Sequence, residues 1–263
     1  MLNKLIKYDL KYNNKVLVIF YILSMFFAIL TRIFLNVENS TIMNIIGKIC
    51  SGVTISMIFN ILINNLMRLW LRFKNNLYND ESYLTHTLPI DKKTIYLSKS
   101  LSSLISIFIS VIFIALSLFI AYYSKENLEI LKKFLLPLAT IYNSTIIKIV
   151  LAFLFVFFLE FCNGLQAGYT GIILGHRKNN AKTGYSVLFG IITYMIIQIL
   201  GVITLFVIGL FNPDIMNLFI TNDMISVEIM KSVICGAIIQ YSLILIINYI
   251  INLKLFQKGV NID

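Results

Sequence analysis

Six long apolar stretches dominate this chain, at roughly 16–35, 45–67, 98–122, 146–175, 185–210 and 231–253. A helix needs about 20 consecutive apolar residues to cross the hydrocarbon core of a bilayer, and each stretch meets that length. The expected fold class is therefore all-α integral membrane: one transmembrane domain, residues 1–263, with six transmembrane helices. Composition agrees. Hydrophobic residues make up 59% of the 263 and charged residues 13%, with a mean hydropathy of +0.86. Ordinary soluble domains are about 45–50% apolar and about 25% charged, and a soluble interior is too small to hide this much apolar surface. The three prolines, Pro89, Pro137 and Pro213, all lie outside the apolar stretches. Uninterrupted helices are expected there, because proline removes a backbone donor and kinks a helix.

The net charge of +10 would raise the question of nucleic acid in a soluble chain. Here the positive charges sit between apolar runs, where they mark sides of a membrane, and no nucleic-acid partner is expected. With the N-terminus inside, the inner segments hold fifteen of the 22 Lys and Arg: four in 1–15, six in 68–100, three in 176–184 and two in the tail. The outer segments and outer span ends hold the other seven. Cytoplasmic loops carry the excess of Lys and Arg, so both termini are expected in the cytoplasm, with the protein in a bacterial cytoplasmic membrane. The first apolar run is too long for a signal-peptide core and has no A-x-A site after it, which predicts a retained span. Outside, a short helix is expected near Glu126–Leu136, and residues 211–230 carry Asp214, Asp223 and Glu228.

Much chemistry is excluded. There is no G-x-x-x-x-G-K-[ST], so the chain has no P-loop for ATP. It has two histidines, His86 and His176, and no H-E-x-x-H; no metal site is expected. Cys50, Cys162 and Cys235 lie in apolar runs without a C-x-x-C pair, which suggests neither a zinc site nor a redox pair. No span core carries an Asp, and the groups needed for general acid–base or nucleophilic work are missing. No enzyme activity, no catalytic residue and no cofactor are expected in this chain.

Three segments carry information. At the N-terminus, Lys4, Lys7, Lys11 and Lys15 share one helical face while Leu2, Leu5, Ile6 and Leu10 fall on the other. That pattern predicts an amphipathic helix over 1–15 lying along the inner membrane surface, its lysines among anionic lipid head groups. Asp9 falls within the apolar arc and does not fit. The second segment is the 68–97 cytoplasmic loop, which Leu69, Trp70, Phe73, Leu77, Tyr78, Tyr83, Leu84 and Leu88 punctuate. Asn79 or Asp80 can cap a short helix with Glu81 at its positive end. Pro89 stops it. Asp91 then caps the third span, with Ile90 and Ile95 at the spacing of a hydrophobic staple.

The run NDESYLTHTLPIDKKTIYLSK resembles the first cytoplasmic loop of type-2 ABC exporter permeases, particularly small Firmicute ones. Asp80, Glu81, Tyr83, Leu84, Thr87, Leu88, Pro89 and Lys99 carry the resemblance, with Ser82 where the family commonly has Gly. It implies a coupling helix that sits in a cleft of a separate ATPase subunit, which would hold the ATP and Mg. In that reading the acidic pair contacts the ATPase and Tyr83, Leu84 and Leu88 are apolar anchors. The N-terminal strip looks like the family's connecting helix. A second permease copy or paralogue would complete the transporter. The substrate implied is hydrophobic or amphipathic, such as a peptide or antimicrobial compound.

The third segment is the fourth span. Glu160 lies near its middle, where a carboxylate is costly and marks either a pathway group or an acid bonded to a neighbouring helix. Asn163 and Gln166 add polarity beside it. Gly164, Gly168, Gly171 and Gly175 bare one face, as close helix packing requires. The main alternative function is an ATPase-independent secondary transporter or channel, which would be expected to carry more mid-span charges or broken helices. A non-transporting immunity or sensor subunit is the second.

Overall fold

In a computed structural model the protein is all-helical, and the structure describes residues 1–37, 40–79, 81–211 and 227–259. Among them run α1 (Leu2–Leu35), α2 (Thr41–Leu77), α3 (Ser82–Thr87), α4 (Lys92–Tyr122), α5 (Lys125–Ile141), α6 (Ile146–Gly175), α7 (Lys182–Phe211) and α8 (Val227–Gln257). No strand occurs among the described residues. Six of these helices, all but α3 and α5, are long and apolar enough to cross a membrane. At 1.5 Å rise per residue, a 30-residue helix reaches about 45 Å, past both edges of the hydrocarbon. The protein is a multi-pass, all-α membrane protein.

The packing falls into two compact units: Met1–Asn76 with Leu84–Ile130, and Leu77–Tyr83 with Leu131–Asp263. In the first, α1 and α4 pack along each other. Serines at 98, 102, 103, 106, 110 and 117 are buried on α4, and their small size lets the helices approach closely. Polar side chains stitch α1, α2 and α4 to one another. Tyr21 shares a 2.7 Å hydrogen bond with Ser110, Ser24 one of 3.1 Å with Ser117, and Thr31 one of 3.2 Å with Thr54. Asn65 donates to Ser110 Oγ (2.6 Å) and accepts from Ser106 (3.0 Å). Leu17, Tyr21, Ile58, Ile61 and Ile114 form the apolar core beside them.

In the second unit, α6 packs on α7 and α8. Thr170 donates to Asn252 Oδ1 (2.8 Å), and Asn252 donates to both the backbone and side-chain oxygens of Gln166 (3.1 Å each). Ala167, Ile197 and Ile244 pack nearby. On α7 the buried residues are Ser186, Ile197 and Gly209, while Val187, Ile191, Met195, Ile199 and Val202 are exposed apolar surface of the kind lipid covers.

Three expectations change. The 1–15 segment is not a separate surface helix: α1 is a single helix from Leu2 to Leu35. Its buried stripe, Asp9, Asn13, Leu17, Tyr21, Ser24, Ala28 and Thr31, keeps phase throughout, so the basic segment has no break at which to turn onto the surface. The 68–97 loop is mostly helix. Leu69, Phe73 and Leu77 are buried at four-residue spacing and carry α2 to Leu77, while α4 starts at Lys92, leaving only 78–91 between them. The short helix expected near Glu126–Leu136 runs further, from Lys125 to Ile141 through Pro137. Of the acids in 211–230, Asp214 and Asp223 lie outside the residues described here, as does Asp80, and Glu228 falls in the first turn of α8.

Candidate functional site

The 78–91 segment is built by opposite signals at its two ends. Ser82 donates its N–H to Asn79 O (2.7 Å) as α3 begins, and Ser82 is buried. The helix ends at Thr87, two residues before Pro89, with the Thr87 hydroxyl donating to Leu84 O (3.0 Å). Asp91 occupies the N-cap of α4 in an extended backbone, but its carboxylate makes no capping hydrogen bond, so the expected side-chain cap is absent. Tyr83 is 72% exposed and Leu84 69%, with Leu88 also exposed. Glu81, Thr87 and Pro89 are exposed as well. At the base of the segment, Tyr78 is buried and its ring packs against that of His176, 4.5 Å between centres and tilted by 35°. His176 Nδ1 lies 2.8 Å from Ile172 O, which fixes the ring at the end of α6.

A buried charge cluster, which sequence reasoning missed, lies where the basic N-terminal segment meets α2 and α4. Lys99 Nζ donates to both Asp9 carboxylate oxygens (2.7 and 2.8 Å) and to Asn76 Oδ1. Arg72 Nε donates to Asp9 Oδ1 (3.2 Å). The Arg72 guanidinium also stacks 4.5 Å from the Tyr12 ring centre, while Arg68 donates to Tyr12 O (3.1 Å). Three donor bonds exhaust an ammonium, so Lys99 is fully satisfied. Asp9, out of place on an apolar arc, was the available signal. Lys4, Lys7, Lys11 and Lys15 are exposed on the other side of the same helix.

In the second unit Glu160 Oε1 accepts from Tyr194 (2.6 Å) and from Gln198 (2.7 Å), one turn apart on α7. Tyr241 of α8 also interacts with it. Oε2 is enclosed and has no hydrogen-bond partner, and Glu160 forms no ion pair among the described residues. Asn163 is turned away from Glu160: its Nδ2 donates to Leu159 O and Tyr241 O (3.0 Å each). Gln166 belongs to the Thr170–Asn252 network. The three polar residues of the span thus serve separate helix contacts. The arrangement makes a simple prediction. Glu160→Gln keeps an oxygen for Tyr194 and Gln198 and should change stability by under about 1 kcal/mol, whereas Glu160→Ala strands two donors at roughly 1–3 kcal/mol each. Thermal unfolding in detergent measures both, and equal losses in the two variants would refute this account.

The four glycines of α6 also separate. A Cβ on Gly171 would strike Ser186 O and come within 2.6 Å of Gly190 N, and one on Gly175 would lie 2.6 Å from Ser186 Cα. A Cβ on Gly164 would meet only Tyr194, at 3.9 Å. Gly168 lies beside Gly190, its Cα 3.8 Å from a Cβ built there. Close backbone approach therefore belongs to the end of α6 nearest His176.

No group of His, Cys, Asp or Glu among the described residues could hold a metal ion. No protein-family model, curated protein or solved structure matches the chain.

Proposed function

We propose that the protein is the membrane-spanning permease subunit of an ATP-driven exporter of the type-2 ABC class. It would move a hydrophobic or amphipathic substrate with the energy of a separate ATPase subunit. The observation that carries the reading is α3, a six-residue helix between two spans with two large apolar side chains, Tyr83 and Leu84, mostly exposed. Exposed apolar surface rimmed by polar residues marks interaction sites, and tyrosine is enriched among the residues that anchor them. The resemblance of 79–99 to the family's coupling loop supports the same role, with Asp80 and Glu81 facing the ATPase, Tyr83, Leu84 and Leu88 entering its cleft, and Thr87–Pro89 setting where the helix stops. The excess of Lys and Arg in 1–15, 68–100, 176–184 and the tail supports placing both termini in the cytoplasm.

The test is co-purification from mild detergent. Tagged wild type should bring down an ATPase carrying a P-loop, and an Asp80→Lys/Glu81→Lys/Leu84→Ala variant that still inserts and elutes as a single species should lose at least about 90% of it, as loss of a 1.4 kcal/mol contact implies. Undiminished capture by the variant, or no ATPase with wild type in several detergents, would remove the mechanism.

A further inference from the structure

Between the third and fourth spans, α5 is amphipathic in three rows set by the helical repeat. Glu126, Glu129, Lys133 and Thr140 make a polar row. Leu135 and Leu138 lie on the far side of the helix, buried with Ile149 and against Ile146 and Val150 of α6 and Met230 of α8. Between these two sides runs a third row, Ile130, Phe134 and Ile141. Phe134 and Ile141 are 67% and 45% exposed, so nothing in the compact unit to which they and α6 belong covers them. The chain also fixes the height of the helix. Tyr123 and Ser124 alone join α4 to α5, residues 142–145 join α5 to α6, and α6 opens with Ile146 and Ile147. The 17 residues of α5 make a rod about 25 Å long, whereas four extended residues reach only about 14 Å. A helix standing straight out of the bilayer could not be brought back by so short a link. The return begins at once: Asn143 is left-handed, at φ 46, and Ser144 donates its N–H to Ala139 O (3.0 Å), an ending that turns the chain. Tyr123 and Tyr142 stand at the two ends, and tyrosine is enriched where membrane meets water.

We propose that α5 is a lipid-binding helix that lies in the membrane surface on the side opposite the N-terminus, which three crossings place there. The Ile130–Phe134–Ile141 row enters the boundary of head groups and acyl chains, to a depth of about 5–10 Å. The Glu129–Lys133 row faces water, because charged side chains are costly in hydrocarbon. Leu135 and Leu138 hold the helix to α6 and α8, so it sits in the corner where protein, lipid and water meet. Lys125, Lys132 and Lys133 against Glu126 and Glu129 leave one positive charge on the helix. The apolar row, rather than the charge of the lipid, therefore sets the contact. This role goes beyond the exporter reading and holds for any function of a chain with these spans.

Two measurements on the full-length protein in phosphatidylcholine vesicles test it. In the first, nitroxide labels are placed singly through Glu129→Cys, Lys133→Cys, Phe134→Cys and Ile141→Cys, with the three native cysteines replaced by Ala. Labels at 134 and 141 should collide several-fold more often with oxygen than with a water-soluble nickel chelate, and labels at 129 and 133 should show the reverse. Exchanging part of the lipid for phosphatidylglycerol should leave this pattern unchanged. The second measurement needs no substitution: a phospholipid with a photoactivated carbene precursor in its acyl chain should mark the wild-type chain within 130–141 as well as in the spans. Labels at 134 and 141 shielded from both oxygen and nickel would show that protein covers the row, whether the other unit of this chain or a different one, and would overturn the proposal. Preference of those two labels for nickel would place the row in water and overturn it as well. So would photolabelled spans with no mark in α5, or a pattern that appears only with phosphatidylglycerol. None of these outcomes depends on ATPase capture, so the two readings fail separately.

Discussion

Replacing Asp9 by Ala is expected to destabilise the protein by about 3–5 kcal/mol, the cost of breaking a buried ion pair from one side. The side chains of Asp9 and Lys99 are 5% and 7% exposed, so neither charge can turn to water when its partner is removed. Without Asp9, the Lys99 ammonium loses two of its hydrogen bonds, and Arg72, itself mostly buried, loses its 3.2 Å contact with the Asp9 carboxylate. Lys99→Met should cost somewhat less, because Arg72 still faces the carboxylate. The double variant Asp9→Asn/Lys99→Met should cost clearly less than the sum of the singles, since directly paired residues are not additive. Equilibrium unfolding in mixed micelles, followed by helical ellipticity, gives all three values. An Asp9→Ala variant within 1 kcal/mol of wild type would mean that the cluster does not hold α1, α2 and α4 together.

A large side chain at the close end of α6 should be as damaging. Gly171→Leu and Gly175→Val put carbon where the α7 backbone already lies. A neighbouring side chain can rotate away, but a backbone can move only with its helix, so α6 and α7 must separate. Overpacking costs roughly 1–3 kcal/mol where a core can adjust; here the upper end or beyond is expected for each. Gly164→Ala is the internal control. It meets only the Tyr194 ring edge at 3.9 Å, and exchanging Gly for Ala in a helix gains up to about 1 kcal/mol. Midpoints of thermal unfolding should therefore fall for Gly171→Leu and Gly175→Val and hold or rise for Gly164→Ala. A Gly164→Ala loss matching that of the other two would show that helix flexibility, rather than close approach, is what the glycines supply.

The spans were legible because the length of an apolar run is a local property, set by the thickness of a bilayer. Helix ends were not. Residues 68–77 read as loop from their charges, yet Leu69, Phe73 and Leu77 continue the buried face of α2, and burial against other helices is invisible in a local pattern. The same limit hid the charge cluster. Asp9 stood out as an acid in the wrong arc, but its partner Lys99 lies 90 residues away. The glycine period of α6 was plain in sequence; which glycines touch backbone depends on Ser186 and Gly190 across the contact. The serines of α4 carry no distinct local signal, although small hydroxyl residues pack membrane helices as glycine does.

The ring contact between Tyr78 and His176 bears on how, under the proposed function, a six-residue helix could pass on a load. So short an element has no stiffness of its own, and in a free loop any displacement would be lost to bending. Tyr78 precedes the first residue of α3 by only four positions, and its ring is clamped to the turn at the end of α6, next to the tight Gly175–Ser186 contact. Under the proposed exporter function, a load on Tyr83 would meet that contact within a few residues and reach the ends of α6 and α7, where the two backbones approach closely.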